Sequence, residues 1–344
     1  MTVTQTPATR LRSIADDLPQ LAQYLRLEGW KLACLLGERR PGAAVGSTVE
    51  LLTGHNPYYE YRLEEGRYQS VSVGEHELIV DTADAGISRT LLAYGVHEYR
   101  STTAYERELE RLASDVDGPV RILEVGANIG YFCLVAAGVL GDRVRIYAIE
   151  PIPSNADLLE RNLDRNGYGA QADVERLAFG AAKQSIEMEL STHSNQHRVC
   201  DSPTSDGGGE ADRETISVEQ TTGNRYLETR NVDSDAVHVV RFDVEGYERE
   251  VLDGLSNVLE APGPTVVYLE LHPLELAVDA QSEIVDRFED NGFEVVSAVW
   301  TDAAAGVVDE RRWHGLECDV DEFDDLRRAM SENDHSIELI VRKE

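Results

Sequence analysis

The stretch that decides the fold is ILEVGANIGYF, which runs from Ile122 to Phe132. An apolar segment leads into a glycine-containing turn, and a second apolar segment with helical spacing follows it. Gly126 and Gly130 remove side chains where the chain turns, so that a ligand can lie against the backbone. The helix that follows would direct its unpaired N–H groups at that ligand. The stretch therefore predicts a strand–turn–helix unit with a binding site at its turn.

The spacing within this turn indicates the kind of ligand. A dinucleotide fingerprint, G-x-G-x-x-G, would need glycine at positions 128 and 131, where this chain has Asn128 and Tyr131. An acid two residues before the first glycine and a glycine four residues after it instead resemble motif I of class I S-adenosylmethionine-dependent methyltransferases. The alternative is a purely structural corner. The resemblance implies cofactor contacts at Glu124, Gly126, Ala127, Asn128 and Gly130.

Outward from this unit, apolar strands alternate with helical segments from residue 119 to the end of the chain. That rhythm predicts an α/β fold with a mostly parallel, doubly wound sheet covered by helices on both faces. Seven strands are expected, and the resemblance to class I methyltransferases implies that the last one is antiparallel. We expect a methyltransferase domain over 119–344 and a helical and β-rich extension over 1–118 that could cap the substrate pocket. Within the extension, helix is expected over 11–36 and strands with tight turns over 57–82.

A second acid follows the next strand of the predicted sheet. Glu150 and Pro151 come directly after an apolar run, 26 residues beyond Glu124. A carboxylate at this place can accept hydrogen bonds from both ribose hydroxyls of a nucleotide. NAD-binding folds place an acid there too, and a solvated strand end is the other interpretation. We expect Glu150 and Pro151 to contact the cofactor.

Two later segments place acids and a histidine at strand ends. RFDVEGYEREVLDGL begins at Arg241, and VVYLELHPLEL begins at Val266. Ligands of open α/β sheets bind beyond the carboxyl ends of the strands, and histidine is suited to proton transfer near neutral pH. Glu248 could equally be a helix-start carboxylate stabilised by the helix dipole. The expected catalytic residues are His272, Glu270, Glu245 and Asp243, and Asp243 is also expected to contact the cofactor.

In this arrangement His272 would accept the proton of the acceptor hydroxyl or hydrogen-bond the acceptor. The alternative for His272 is a structural residue at the end of a strand. Glu270 would orient His272 or the substrate. Since carboxylates are hard oxygen ligands, a divalent metal among these acids is an alternative, but we expect no metal.

Together the four segments resemble the FkbM family of S-adenosylmethionine-dependent methyltransferases over about residues 119–300. One departure is Thr221–Asn224, where members often have a Thr-Leu-Asp segment. More weakly, the resemblance extends upstream through DAGISR, residues 84–89. It implies methyl transfer from S-adenosyl-L-methionine to an oxygen, hydroxyl or carboxylate, of a sugar, glycolipid or secondary metabolite. An NAD-dependent oxidoreductase and a catalytically inactive binding protein on the same fold are the alternatives.

Composition limits the partners and the surroundings. The chain has 344 residues, 64 acidic and 32 basic, and a formal charge of −32, which excludes a nucleic-acid binder held by phosphate neutralisation. Only three residues are lysine, and a dispersed carboxylate surface with so little lysine resembles the proteins of halophilic archaea. An ordinary acidic protein is the alternative. No signal peptide or membrane span is apparent, so we expect a cytoplasmic enzyme. The loop over 201–213 is expected to be a solvated insertion.

Overall fold

A computed structural model describes most of the chain. The described residues are 18–191, 193–194, 196–200, 214–272, 276, 278–300, 316–317, 320, 322–332 and 336–344. The expected start of the first helix, at 11–17, and the predicted loop at 201–213 lie outside them.

Within the described residues, the centre of the molecule is a sheet of eight strands. Its strands, in chain order, are β3 Val120–Val125, β4 Val144–Ile149, β5 Ala172–Glu175, β10 Val239–Phe242, β11 Thr265–Leu271, β12 Glu294–Trp300, β13 Leu316–Glu317 and β14 Ile337–Lys343. Their order across the sheet is β13-β12-β14-β11-β10-β3-β4-β5. Neighbours from β11 to β5 are parallel, and β14 runs antiparallel to both β11 and β12. The expected seven-stranded doubly wound sheet with its last strand reversed is confirmed, and β13 adds a short edge strand.

The apolar composition of the central strands explains why they lie inside. Successive residues of a strand point to opposite faces, and here each face packs into its own core. Leu123 of β3 belongs to the core on one face, together with Tyr147 and Val240. Its neighbour Ile122 belongs to the core on the other face. Both faces of the sheet are therefore buried, as is usual for parallel sheets.

Helices cover the two faces and form much of the N-terminal region. Their bounds are α1 Leu18–Gly37, α2 Pro41–Thr53, α3 Pro57–Arg62, α4 Ile87–Tyr94, α5 Tyr99–Asp115, α6 Tyr131–Leu140, α7 Pro153–Arg165, α8 Gly223–Arg230, α9 Glu248–Gly254, α10 Ser256–Glu260, α11 Val278–Asp290 and α12 Phe323–Glu332. Within the described part of the chain, none of these helices is both long and apolar enough to cross a bilayer.

A small second sheet was not predicted. Its strands are β6 Ala178–Phe179, β7 Gln184–Glu189, β8 Arg198–Val199 and β9 Thr215–Thr221, in the order β6-β9-β7-β8. The chain passes here from one sheet to the other, since Ala172–Glu175 pairs in the large sheet and Ala178–Phe179 pairs in the small one. The small sheet lies beside the cleft described below and supplies part of its wall.

The expectation of strands throughout 57–82 is wrong at its start. Residues 57–62 form α3, because the Asn56 side chain accepts a hydrogen bond from the Tyr59 backbone and Pro57 occupies the first turn. Both features favour a helix N-terminus over a strand. The antiparallel pair follows as β1 Tyr68–Val73 and β2 His76–Asp81.

The N-terminal region is attached to the sheet domain by specific contacts. The Asn162 side chain, on α7, accepts a hydrogen bond from the Ile79 backbone at 2.6 Å and donates one back to its carbonyl. The division of the chain at residue 118 stays a prediction.

Candidate active site

A cleft opens at the carboxyl edge of the large sheet, where the ligands of open α/β sheets bind. Residues expected to contact the cofactor form much of its wall, namely Gly126, Ala127, Asn128, Glu150, Pro151 and Asp243. The other side comes from the small sheet, which was not predicted, and from the N-terminal region. Met188 and Val199 reach it from the small sheet, and Ile87 and His97 reach it from the N-terminal region.

The two glycines of the first turn serve chain packing. Gly126 has φ +76°, and a Cβ there would lie 2.2 Å from the carbonyl oxygen of Asp243. Gly130 has φ +89°, and its Cβ would lie 2.7 Å from Cδ1 of Leu159. Both positions need glycine for the left-handed backbone and for the close approach of another segment. Glycine here therefore brings the turn against the end of β10, where Asp243 lies.

Glu150 is fixed by the backbone at the cleft wall. Its carboxylate accepts hydrogen bonds from the backbone N–H groups of Asn128 at 2.7 Å and of Ile152 at 2.9 Å. Burial raises the pKa of Glu150 to about 7, although these donors oppose the shift. Each carboxylate oxygen retains a further lone pair. The geometry is compatible with the expected ribose contact.

Glu124 lies behind the cleft wall. It is 1% exposed and does not occur among the described residues that line the cleft. Its carboxylate accepts a hydrogen bond from Nη1 of Arg241 at 2.8 Å, and burial raises its pKa to about 7 in spite of that partner. The Arg241 guanidinium, 3.6 Å from the centre of the Phe132 ring, itself lines the cleft. Glu124 therefore meets the cleft through Arg241, and its expected contact with the cofactor stays a prediction.

Arg241 is also connected to the N-terminal region through Glu98. The Glu98 carboxylate lies 3.9 Å from Arg241 Nη2, and it accepts a hydrogen bond from the Tyr268 hydroxyl at 3.2 Å. Burial opposes ionisation of Glu98, but His97, 2.7 Å away, and Arg241 hold its pKa at about 2. Sequence reasoning missed both Arg241 and Glu98.

The expected catalytic residues meet beside Asp243. His272 Nε2 lies 3.5 Å from Glu245 and 3.7 Å from Glu270. Its Nδ1 lies 2.6 Å from Glu248, a fully buried carboxylate that also accepts from the Gly246 backbone. Glu248 therefore orients the ring. In the sequence, its position three residues after Glu245 was the feature that could have indicated this role.

The ionisation of this cluster is strongly perturbed. Burial alone would lower the pKa of His272, but Glu270, Glu248 and Glu245 raise it well above its ordinary value. Burial raises the pKa of Glu270 well above its ordinary value and that of Asp243 more moderately, while His272 opposes both shifts. The raised pKa of His272 favours the protonated ring in the free protein.

Two sets of side chains in this region are close enough to share a cation. Ligand atoms of Asp243, Glu245 and His272 lie within 4.8 Å of one another, and so do those of Glu98, Asp243 and Glu270. The expectation of no metal stays a prediction.

Comparison with known proteins identifies the family. The family described as "Methyltransferase FkbM domain" matches residues 124–295, half of the 344 residues. The chain belongs to this family. The FkbM match begins at Glu124 and includes the other expected site residues through His272, so the resemblance seen in the sequence is confirmed.

Comparison with individual FkbM-type and other methyltransferases gives low sequence identities. The chain is 28% identical over 153 residues to "Hexuronic acid methyltransferase AglP" of Haloferax volcanii, covering 43% of this chain and 54% of that one. It is 29% identical over 90 residues to "Protein-L-isoaspartate O-methyltransferase" of Methanothrix thermoacetophila, covering 22% and 43%. The chain thus spans about half the length of these two curated relatives. The crystal structure of methyltransferase FkbM from Methylobacillus flagellatus KT matches with 14% identity and a TM-score of 0.38, covering 76% of this chain and 55% of that one.

Proposed function

We propose that this protein transfers a methyl group from S-adenosyl-L-methionine to an oxygen of a sugar-type acceptor. The proposal rests on one observation, which is that the cleft and the cluster of expected catalytic residues adjoin each other. The cleft along the Gly126 turn and Glu150 ends at Asp243, where the cluster around His272 begins. Membership of the FkbM family and the hexuronic acid methyltransferase relative support this proposal.

The cleft has parts suited to each portion of the cofactor. Ile149, Ile152 and Phe179 offer an apolar wall for a purine, and Glu150 can accept from ribose hydroxyls. The N-terminus of α6 has free N–H groups that suit the carboxylate of the cofactor's amino-acid part. When bound, S-adenosylmethionine supplies an electrophilic methyl group on a cationic sulfur. Asp243 places negative charge where a sulfonium would be favoured.

The cluster around His272 can serve the acceptor in two ways. A neutral His272 ring would take the proton of an acceptor hydroxyl, with Glu248 fixing the ring through Nδ1. A protonated ring would instead hydrogen-bond an acceptor carboxylate, which needs no base. In both cases holding the oxygen in line with the methyl group supplies much of the rate.

Cofactor binding tests the first half of the proposal. S-adenosylmethionine should raise the melting temperature in concentrated salt, because a ligand that binds only the folded state stabilises it. Gly126→Val should abolish the shift, since a branched side chain at φ +76° meets the Asp243 backbone. A melting temperature raised by NAD and unaffected by S-adenosylmethionine would establish the oxidoreductase alternative.

Product analysis tests the second half. Glycans and lipids from cells with and without the protein should differ on one species by the mass of one CH₂ group. Mild alkali then distinguishes the acceptor oxygen, because a methyl ester is saponified and a methyl ether survives. Cofactor binding with no methylated species in such cells would favour the inactive binding protein.

A further inference from the structure

Asp84, in the upstream segment that resembles the FkbM family, is a buried hydrogen-bond acceptor with no role in the proposed chemistry. It is 8% exposed. Two of its hydrogen bonds are local, from the backbone N–H groups of Gly86 and Ser88, both at 2.9 Å. The other two come from Ser194, 110 residues away, whose backbone N–H donates to Oδ1 at 2.8 Å and whose hydroxyl donates to Oδ2 at 2.9 Å. A buried carboxylate with four donors is a strong attachment point.

Ser194 is held on its other side by the cofactor cleft. Its carbonyl accepts hydrogen bonds from the side-chain amides of Asn128 at 3.1 Å and Asn155 at 3.0 Å. Ser194 lies between β7 and β8 and lines the cleft together with His197. The backbone N–H, the hydroxyl and the carbonyl of Ser194 are therefore all hydrogen-bonded. Through them Ser194 connects the N-terminal region to the turn that contacts Glu150.

We propose that Asp84 is a positioning residue for cofactor retention. It holds Ser194 across the cleft, and Ser194 holds Asn128, whose backbone N–H fixes Glu150. The inference rests on the proposed function, because the retained ligand is the nucleoside cofactor. It gives the upstream segment a function, which is to close one wall of the cleft from outside the region that the family match covers.

The connection has a direct physical consequence for the segment around Ser194. The side-chain amides of Asn128 and Asn155 hold Ser194 on the cleft side. The Asp84 carboxylate holds it on the side of the N-terminal region. Loss of the carboxylate removes the charge-assisted bonds, which are the stronger of the two kinds. Ser194 should then separate from Asp84 more often, and a bound nucleoside should leave faster.

The test compares two pairs of variants by hydrogen exchange and by the release of S-adenosylhomocysteine. Asp84→Asn replaces one acceptor oxygen by an NH₂ group that faces donors, and Ser194→Ala removes the hydroxyl while leaving the local bonds of Asp84 intact. The controls are Asp81→Asn, at the end of β2 and paired with Arg67, and Ser185→Ala, on β7, whose hydroxyl is hydrogen-bonded to that of Ser217 on β9. Ser194→Thr keeps the hydroxyl and should behave as the wild type.

We expect Asp84→Asn to speed exchange of the Ser194 amide and release of S-adenosylhomocysteine by about tenfold each, the size of one charge-assisted bond. Ser194→Ala should speed release by about threefold, and both controls should match the wild type. Wild-type release from Asp84→Asn and Ser194→Ala, with normal binding, would overturn the inference alone. Failure of the wild type to bind S-adenosylhomocysteine would overturn the proposed function as well, whereas the exchange result would still show whether Asp84 holds Ser194.

Discussion

At the residue scale, the site depends on how buried carboxylates share few positive charges. His272 has a carboxylate at each ring nitrogen, with Glu248 at Nδ1 and Glu245 and Glu270 beyond Nε2. Burial and the neighbouring carboxylates raise the cost of ionising Glu270, and a protonated ring offsets part of that cost. His272 therefore has two roles, as a group that interacts with the acceptor and as a counter-ion for its neighbours.

Replacing His272 tests the first role. His272→Ala should lower turnover by about 10²–10⁴-fold, the usual contribution of a general base, with little change in cofactor affinity. For a hydroxyl acceptor the rate should rise with pH above neutrality, because the ring's raised pKa keeps the base form scarce. For a carboxylate acceptor the rate should fall as the ring loses its proton. Near-normal turnover of His272→Ala on the true acceptor would leave alignment as the source of catalysis.

Glu150 provides a prediction about stability. Its pKa is raised from 4.5 to about 7 in the folded state, so the folded protein holds a proton that the unfolded chain releases. The corresponding stability is fully present below pH 4.5 and is lost as the pH rises to about 7. Glu150→Gln, which mimics the protonated acid, should reduce this decline in denaturant titrations between these two pH values. Asp173→Asn, at a half-exposed carboxylate on the neighbouring strand, is the control and should retain the wild-type slope.

At the scale of secondary-structure elements, β3 and β10 are joined by a buried ion pair. Arg241 and Glu124 lie at paired positions of these neighbouring strands. Removing one partner of a buried pair leaves a desolvated charge, so Arg241→Ala should destabilise the protein by about 3–5 kcal/mol in denaturant unfolding. Arg328→Ala, which breaks an exposed pair with Asp325, should cost less than about 1 kcal/mol. The double variant Arg241→Met with Glu124→Leu should regain most of the loss, and no recovery would contradict this explanation.

The same elements show how far the sequence could predict the structure. The central strands were predictable because strands buried on both faces are apolar throughout, and the acids at their ends marked the site. The small sheet was missed although β7 and β9 alternate exposed and buried residues, because each strand has only two apolar residues within polar sequence. Arg241 was overlooked although it interrupts an apolar strand, as Glu124 does in β3. Opposite charges within two adjacent apolar strands were the signal of their pairing. The contacts of Asp84 with Ser194 lie 110 positions apart, and no local pattern could have revealed them.

At the scale of the whole molecule, the formal charge of −32 predicts dependence on salt. Acidic side chains repel one another over about 10 Å in 0.1 M salt but over only about 3 Å at 1 M, and net charge of this size destabilises a compact state. Circular dichroism across a potassium chloride series should show poor folding in dilute buffer and recovery near molar salt.

Sucrose is the matched control for that series. It stabilises folded proteins through exclusion from their surface and screens no charge, so sucrose at the same osmolality should restore much less structure than potassium chloride. Equal recovery in both would assign the effect to exclusion and not to repulsion. A fully folded protein whose melting temperature is the same in dilute buffer and in molar salt would contradict the halophilic interpretation of the composition. In that case the arginine-dominated ion pairs of the surface, such as Arg327 with Asp286 and Glu289, would be balancing the acidic excess locally.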